Sequence, residues 1–246
     1  TEPLTNISAS LTSPNLLCFS DTGTIVLTIN GGTPNYSILW NNGVITQNLY
    51  GIGAGNYSVT ILDENNCEVI ESINVPEPNE INVNAVITDL LCFEDGTGAI
   101  NITTNGGVLS YNYSWDNGEI TSDLANLSAG TFELTITDGN NCTHIKSFTV
   151  VEPNLLEVSS NLTHIDCFGN STGEVDITVS GGTQNYSFDW SNLSSNQDLS
   201  NIPSGNYAVT ITDINNCTMS ASVNINEPTE ITYAVSTIDL VCNNIF

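Results

Sequence analysis

Seven cysteines and two histidines carry the most reactive side-chain chemistry in this 246-residue chain. A catalytic Cys–His pair needs an activated thiolate and a poised base. His144 stands close to Cys142, but no histidine recurs beside the other cysteines, and His164 has no Ser–Asp company that repeats. The spacings are not those of a closed tetrahedral zinc site. No catalytic residue is assigned, and the chain is read as a protein without enzymatic activity. A hard cation is the remaining ligand to weigh, because oxygen-rich loops suit calcium. The candidate oxygens are Asp63 with Asn65, Asp138 with Asn140, and Asp213 with Asn215, joined by Asp21, Glu94 or Asp95 from a second loop. The plainer reading of those hairpins is preferred: Asp and Asn form turns by bonding their own backbone. Trp40, Trp115 and Trp190 could offer flat platforms to sugars. Each shares strand parity with other apolar residues, which assigns them to the core instead. Tyr57, Phe132 and Tyr207 follow Gly-x and are expected to seal one end of that core.

These residues recur with a period. Glu-Pro stands at Glu2-Pro3, Glu77-Pro78, Glu152-Pro153 and Glu227-Pro228, and the tryptophans keep the same interval. So do Gly31-Gly32, Gly106-Gly107 and Gly181-Gly182, and Cys67, Cys142 and Cys217. A second cysteine series, Cys18, Cys92, Cys167 and Cys242, keeps nearly the same spacing. Self-similarity at a fixed period is the mark of a repeat array. The expected units are 1–76, 77–151 and 152–226, with 227–246 opening a fourth.

Each unit reads as β-structure. Val175, Ile177 and Val179 alternate with polar residues, as do Tyr207, Val209 and Ile211, and Ala221, Val223 and Ile225. Period two sends one set to a core and the other to water. Asn42-Gly43 and Asn117-Gly118 suit tight turns with positive φ, whereas the third unit has Asn192-Leu193. Short strands with turn signals every 8–12 residues point to an all-β fold: Ig-like β-sandwich repeats of about 75 residues, arranged end to end. The Glu-Pro pairs mark the junctions, where proline ends ladder pairing and stiffens a short linker.

A unit this small is marginal on its core alone, so disulfides are expected. They would imply an oxidising, exported setting. Pairing within a unit gives Cys18–Cys67, Cys92–Cys142 and Cys167–Cys217, leaving Cys242 alone. Pairing over a junction, as in Cys67–Cys92, leaves Cys18 alone. An Ig topology objects to the first scheme. It puts the loop after the first strand and the last hairpin at opposite ends, roughly 26 Å apart for an eight-residue strand. That would favour Cys18–Cys142 and Cys92–Cys217. The within-unit scheme is retained because the strand order is itself inferred. An odd cysteine remains under any scheme, as expected for a piece of a longer array.

The ordered set Cys167-Phe168, Gly173, Gly181-Gly182, Tyr186, Trp190, Gly205-Asn206-Tyr207, Asp213, Asn215-Asn216-Cys217 and Glu227-Pro228 resembles the SprB repeat. The likeness covers essentially the whole chain, three times. It departs at Phe132, which replaces Tyr, and at the missing third Asn-Gly. The resemblance implies a very large surface protein of Bacteroidota, such as the mobile adhesin of gliding cells. It implies type IX secretion, attachment at the outer surface and movement by a gliding motor. Neither a signal peptide nor a C-terminal sorting domain is read in the sequence, so the export route is what the resemblance implies.

Charge narrows the partners. There are 27 acidic residues against one base, Lys146, for a net charge of −26. Such a chain does not clamp phosphates, so nucleic acid is excluded. No apolar run is long enough to insert into a membrane. The acidic residues keep a long array soluble and discourage edge pairing. The expected function is a structural stalk that spaces an adhesive or motor-linked element from the cell surface, each unit adding ~30–40 Å. The expected partners are neighbouring repeats, with surface polysaccharide or the outer-membrane gliding machinery met through other parts of the protein. An array of polysaccharide-binding modules and a surface-layer component are the alternatives.

Overall fold

A computed structural model describes residues 6–238, all of whose regular elements are strands. The first repeat holds β1 (Ser8–Thr12), β2 (Gly23–Asn30), β3 (Ser37–Trp40), β4 (Leu49–Ile52), β5 (Gly55–Leu62) and β6 (Glu68–Val75). The second holds β7 (Asn82–Thr88), β8 (Gly98–Asn105), β9 (Asn112–Trp115), β10 (Leu124–Leu127), β11 (Gly130–Thr137) and β12 (Thr143–Val150). The third holds β13 (Glu157–Thr163), β14 (Gly173–Ser180), β15 (Ser187–Trp190), β16 (Leu199–Ile202), β17 (Gly205–Thr212) and β18 (Thr218–Ile225). The N-terminal Glu2-Pro3 and Cys242 lie outside the described residues.

Each repeat builds two three-stranded sheets of one design. In the first repeat the orders are β1-β2-β4 and β3-β5-β6, and the other two repeats copy them. All pairings are antiparallel. In immunoglobulin lettering these are sheets A-B-E and C-F-G, so the chain is a tandem array of Ig-like β-sandwiches without strand D.

The alternation read from sequence sets the two faces. In β2 the side chains of Ile25 and Leu27 are buried while Val26 and Thr28 point outward. In β17 the buried set is Tyr207, Val209 and Ile211. The short strand β4 adds Leu49 and Ile52 to the core of the first repeat, which also contains Leu16, Trp40, Val59, Ile61 and Val75. The third repeat repeats this core with Ile165, Trp190, Leu199, Ile202, Val209, Ile211 and Ile225. Trp40 faces Val59 across the sheet, Trp115 faces Leu134, and Trp190 faces Val209.

By contact density the chain divides into two compact units. One comprises Thr1–Thr88 with Gly98–Val150; the other comprises Asp89–Thr97 with Val151–Phe246. The loop carrying Cys92 therefore belongs structurally with the third repeat, although β7 and β8 on either side of it belong to the second.

Candidate functional site: the repeat joints

The hairpin between β5 and β6 is wrapped around one carboxylate. Asp63 Oδ1 accepts the N–H groups of Asn65 and Cys67, each at 2.9 Å, and Oδ2 accepts that of Thr33 at 3.0 Å. Asp138 repeats this with Asn140, Cys142 and Val108, and Asp213 with Asn215, Cys217 and Thr183. The N–H of Thr33 leads the donors that hold the Asp63 carboxyl below the ordinary carboxylate range. Burial raises that of Asp138, and the N–H donors of Val108, Cys142 and Asn140 more than offset it. The three hairpin carboxylates weighed for calcium thus face N–H hydrogens and serve as turn anchors. In the other loop Asp21 Oδ2 accepts the N–H of Cys18, and Asp95 Oδ2 accepts those of Leu91 and Cys92. Glu94 is engaged through its backbone N–H, which donates to Glu152. Among the described residues no cluster of three or more His, Cys, Asp or Glu side chains could hold a metal.

The disulfides join Cys18 to Cys142 and Cys92 to Cys217. This corrects the within-unit pairing of Cys18 with Cys67, Cys92 with Cys142 and Cys167 with Cys217. The reason is strand length. Cys18 lies near the Gly23 end of β2, where Leu16 packs against Gly23. Cys67 lies near its Asn30 end, where Asp63 reaches Thr33. An eight-residue strand holds the two about 26 Å apart, whereas bonded cysteines here have Cα atoms 5.6 Å apart. The first-loop cysteine of one repeat therefore finds the hairpin cysteine of the next. Cys67 and Cys167 are exposed thiols.

Hydrogen bonds reinforce each joint. Asn140 Nδ2 donates to the Leu17 carbonyl at 2.8 Å, and Asn215 Nδ2 to the Leu91 carbonyl at 3.2 Å. The glutamate of each of the three described Glu-Pro pairs is a further clamp that sequence reasoning missed. Glu77 Oε2 accepts the N–H of Ser20 at 2.8 Å, Glu152 that of Glu94 at 2.7 Å, and Glu227 that of Gly169 at 2.8 Å. The three donors share a positive φ: 62° at Ser20, 55° at Glu94 and 79° at Gly169. The Gly169 N–H, with the Ser204 hydroxyl, holds the Glu227 carboxyl below its ordinary value. The available signal was the nearly constant spacing between each Cys-Phe loop and the next Glu-Pro pair.

A shallow groove flanks the first joint, lined by Cys18, Phe19, Pro78, Ile81 and His144. Its volume is about 190 Å³, and a wider version of about 550 Å³ recurs beside Cys92 and Phe93. His144 lies beside a disulfide-bonded sulfur, which is no nucleophile. His164 Nδ1 accepts the N–H of Asn226 at 3.2 Å.

The aromatic candidates are structural. Trp40, Trp115 and Trp190 are buried, and their Nε1–H groups donate to the carbonyls of Thr46, Thr121 and Asn196, each at 2.9 Å. No face of these rings is left for a sugar. Tyr57 donates its hydroxyl to the Gly53 carbonyl at 3.0 Å and Tyr207 to that of Pro203 at 2.8 Å. Both bonds have the form of the tyrosine corner of Ig domains. Burial raises the Tyr207 phenol above its usual range. Phe132 occupies the same place without a hydroxyl.

Three sandwiches tied by repeated joints define a tandem Ig-like structural module. The SprB repeat model matches residues 10–44, 84–119 and 159–195, running each time from the first strand to the turn after Trp, and supports an array of SprB repeats. Together these segments make up less than half of the chain. No curated protein matches significantly. Among solved structures, the chain is similar to the N-terminal eight Ig domains of Down syndrome cell adhesion molecule, with a TM-score of 0.47 and 11% identity over 88% of this chain and 36% of that one. It is similar to Ig domains 1–5 of Sidekick-1, with a TM-score of 0.38 and 13% identity over 92% and 59%. The chain thus spans about a third to three fifths of those relatives. The sandwich assignment rests on the strand order itself. The two disulfides and the extracellular repeat family point to an extracellular protein. No helix of the described residues is long and apolar enough to cross a membrane.

Proposed function

We propose that this chain is a stalk segment of a large extracellular filamentous adhesin. It spaces an adhesive or motor-linked element from the cell surface, in surface attachment and gliding motility of the kind the SprB likeness implies. Neighbouring repeats are its immediate partners. Surface polysaccharide or the outer-membrane machinery is met elsewhere in the protein, and type IX secretion is the export route.

The observation that carries this reading is the joint. A spacer needs little chemistry but must resist bending at every boundary between domains. Short linkers alone allow domain motion. Here a disulfide, an Asn side chain and a Glu carboxylate fasten the Cys18 loop, and the same set recurs at Cys92. Net charge of one sign adds self-repulsion along the chain.

Small-angle scattering tests the proposal. A single compact domain of 246 residues would have a radius of gyration of about 18 Å. A stalk gives a value well above that, and one that grows almost in proportion to the number of repeats in longer chains. A value near 18 Å would overturn it.

A further inference from the structure

The two formed joints are near copies, and one difference between them bears on chemistry. Cys18–Cys142 and Cys92–Cys217 both have Cα atoms 5.6 Å apart. Cys142 Sγ lies 3.3 Å from the Leu17 carbonyl oxygen, and Cys217 Sγ lies 3.3 Å from that of Leu91. Each bridge borders its own groove, and both grooves are lined by the loop Phe, the Pro of the Glu-Pro pair, and an Asn, a Gly and a Thr at matching places. The first groove adds Glu80 and His144; at the same places the second has Leu155 and Met219.

His144 stands two residues beyond Cys142, and both are half-buried with the exposed Thr143 between them. As the chain enters β12, residues two apart share a face, so the imidazole stands on the Cys142 side of the bridge. The strand opposite presents Ile136 to it. The charged groups around it are three. Glu80 is exposed, and the oxygens of Asp138 are spent on N–H donors. Lys146, on the same strand, has its Nζ held 2.7 Å from the Val83 carbonyl. Imidazoles change charge between about pH 5 and 8, so His144 is the group placed to pass a proton at this bridge near neutral pH. The groove, of about 190 Å³, leaves room for a small molecule beside it.

A disulfide sulfur is an electrophile, and a bridge opens faster when its departing thiolate is stabilised. A cationic neighbour supplies that stabilisation. We propose that Cys18–Cys142 is a reducible bridge, opened by small thiols with His144 as proton donor, whereas Cys92–Cys217 is the durable one. A thiolate in the groove attacks Cys18 Sγ. The S–S bond breaks, and Cys142 departs with the proton of the His144 imidazolium, which the proton shed by the incoming thiol replaces. A second thiolate attacks the outer sulfur of the mixed disulfide and releases Cys18, which takes up the second thiol's proton. Two small thiols are oxidised to one small disulfide, and one protein disulfide is reduced to two thiols.

The test uses the full chain with its free thiols first capped by N-ethylmaleimide. It is treated with 2-mercaptoethanol at values from about pH 5.5 to 8, quenched with an isotopically labelled maleimide, and followed by peptide mass spectrometry. Cys18–Cys142 should open at least about fivefold faster than Cys92–Cys217 at the acid end, with the ratio falling as pH rises and the imidazolium is lost. The ratio cancels the thiolate fraction of the reagent, which both bridges share. His144→Met should bring the ratio near unity at every pH. Met219→His should quicken the opening of Cys92–Cys217, most of all at the acid end. Bridges that open at one rate, a ratio flat with pH, or a preference that survives His144→Met would each overturn the proposal, as would a Met219→His protein whose second bridge is no faster. A chain extended by scattering keeps the stalk whichever bridge opens first.

Discussion

Tyr57 and Tyr207 each place one hydroxyl on a carbonyl four residues upstream, while Phe132 has none to place. Removing one neutral hydrogen bond costs about 1 kcal/mol. Tyr207→Phe should therefore destabilise the third repeat by about that amount in urea titration, and Phe132→Tyr should stabilise the second by a similar amount. The buried turn carboxylates give a pH prediction. The Asp138 carboxyl is held below its unfolded value in the folded state. Its contribution is complete above the unfolded carboxylate range and is lost as pH falls through the folded value. The stability difference between the native chain and Asp138→Asn should shrink as pH drops from about 6 through that range, and a constant difference would contradict the assignment. Comparing the two proteins cancels the general relief of charge repulsion on acidification. Sequence placed Asp138 in a turn, yet composition alone could not separate a carboxylate that faces cations from one that faces N–H groups. That choice depends on which backbone segment passes beside it.

Alternation made the strands and their faces legible, because a two-residue period leaves one side of each sheet to bury. The Gly-Gly pairs were visible only as a spacing, and the structure supplies their cause. Gly181 has φ 72°, and a Cβ on it would lie 1.8 Å from the Leu155 carbonyl oxygen. Gly181→Ala combines a left-handed backbone with a backbone clash, so it should cost more than ~2 kcal/mol. The third tight turn is an opposite case. Leu193 sits at φ 68° where the other repeats have Gly43 and Gly118, and it is 92% exposed, so it buries almost nothing. Relief of left-handed strain is worth about 1–2 kcal/mol, less the roughly 0.5–1 kcal/mol that glycine loses in chain entropy. Leu193→Gly should leave a net stabilisation of up to about 1.5 kcal/mol by chemical denaturation. The odd dipeptide was legible in the sequence; that the chain would keep the same turn and accept the strain was not.

Connections between repeats were the least legible feature, since a cysteine's partner depends on which end of a strand it occupies. The geometric objection drawn from Ig topology identified the right pairs, and retaining the within-unit scheme because the strand order was itself inferred led away from them. The cores contain no cysteine among their buried residues. Replacing Cys18 and Cys142 together by Ser should therefore keep Trp40 and Trp115 buried, with unchanged blue-shifted emission. The denaturation midpoint should fall all the same, because closing a loop between residues 124 apart contributes about 5 kcal/mol in the chain-entropy model. A red-shifted emission before denaturant is added would mean that the sulfur bridge holds up the sandwiches themselves.

The two bridges also interleave: Cys92 lies inside the span closed by Cys18 and Cys142, and Cys142 inside the span closed by Cys92 and Cys217. Tension applied at the two ends need not run through the intervening polypeptide in order. Its shortest covalent route crosses from Cys18 to Cys142, returns along the backbone to Cys92, and crosses again to Cys217. Between Cys18 and Cys217 the extension is then capped by the 50-residue span from Cys92 to Cys142, however completely the sandwiches are torn open. Under load such a tether stops lengthening early and abruptly, and a reductant would release the hidden slack.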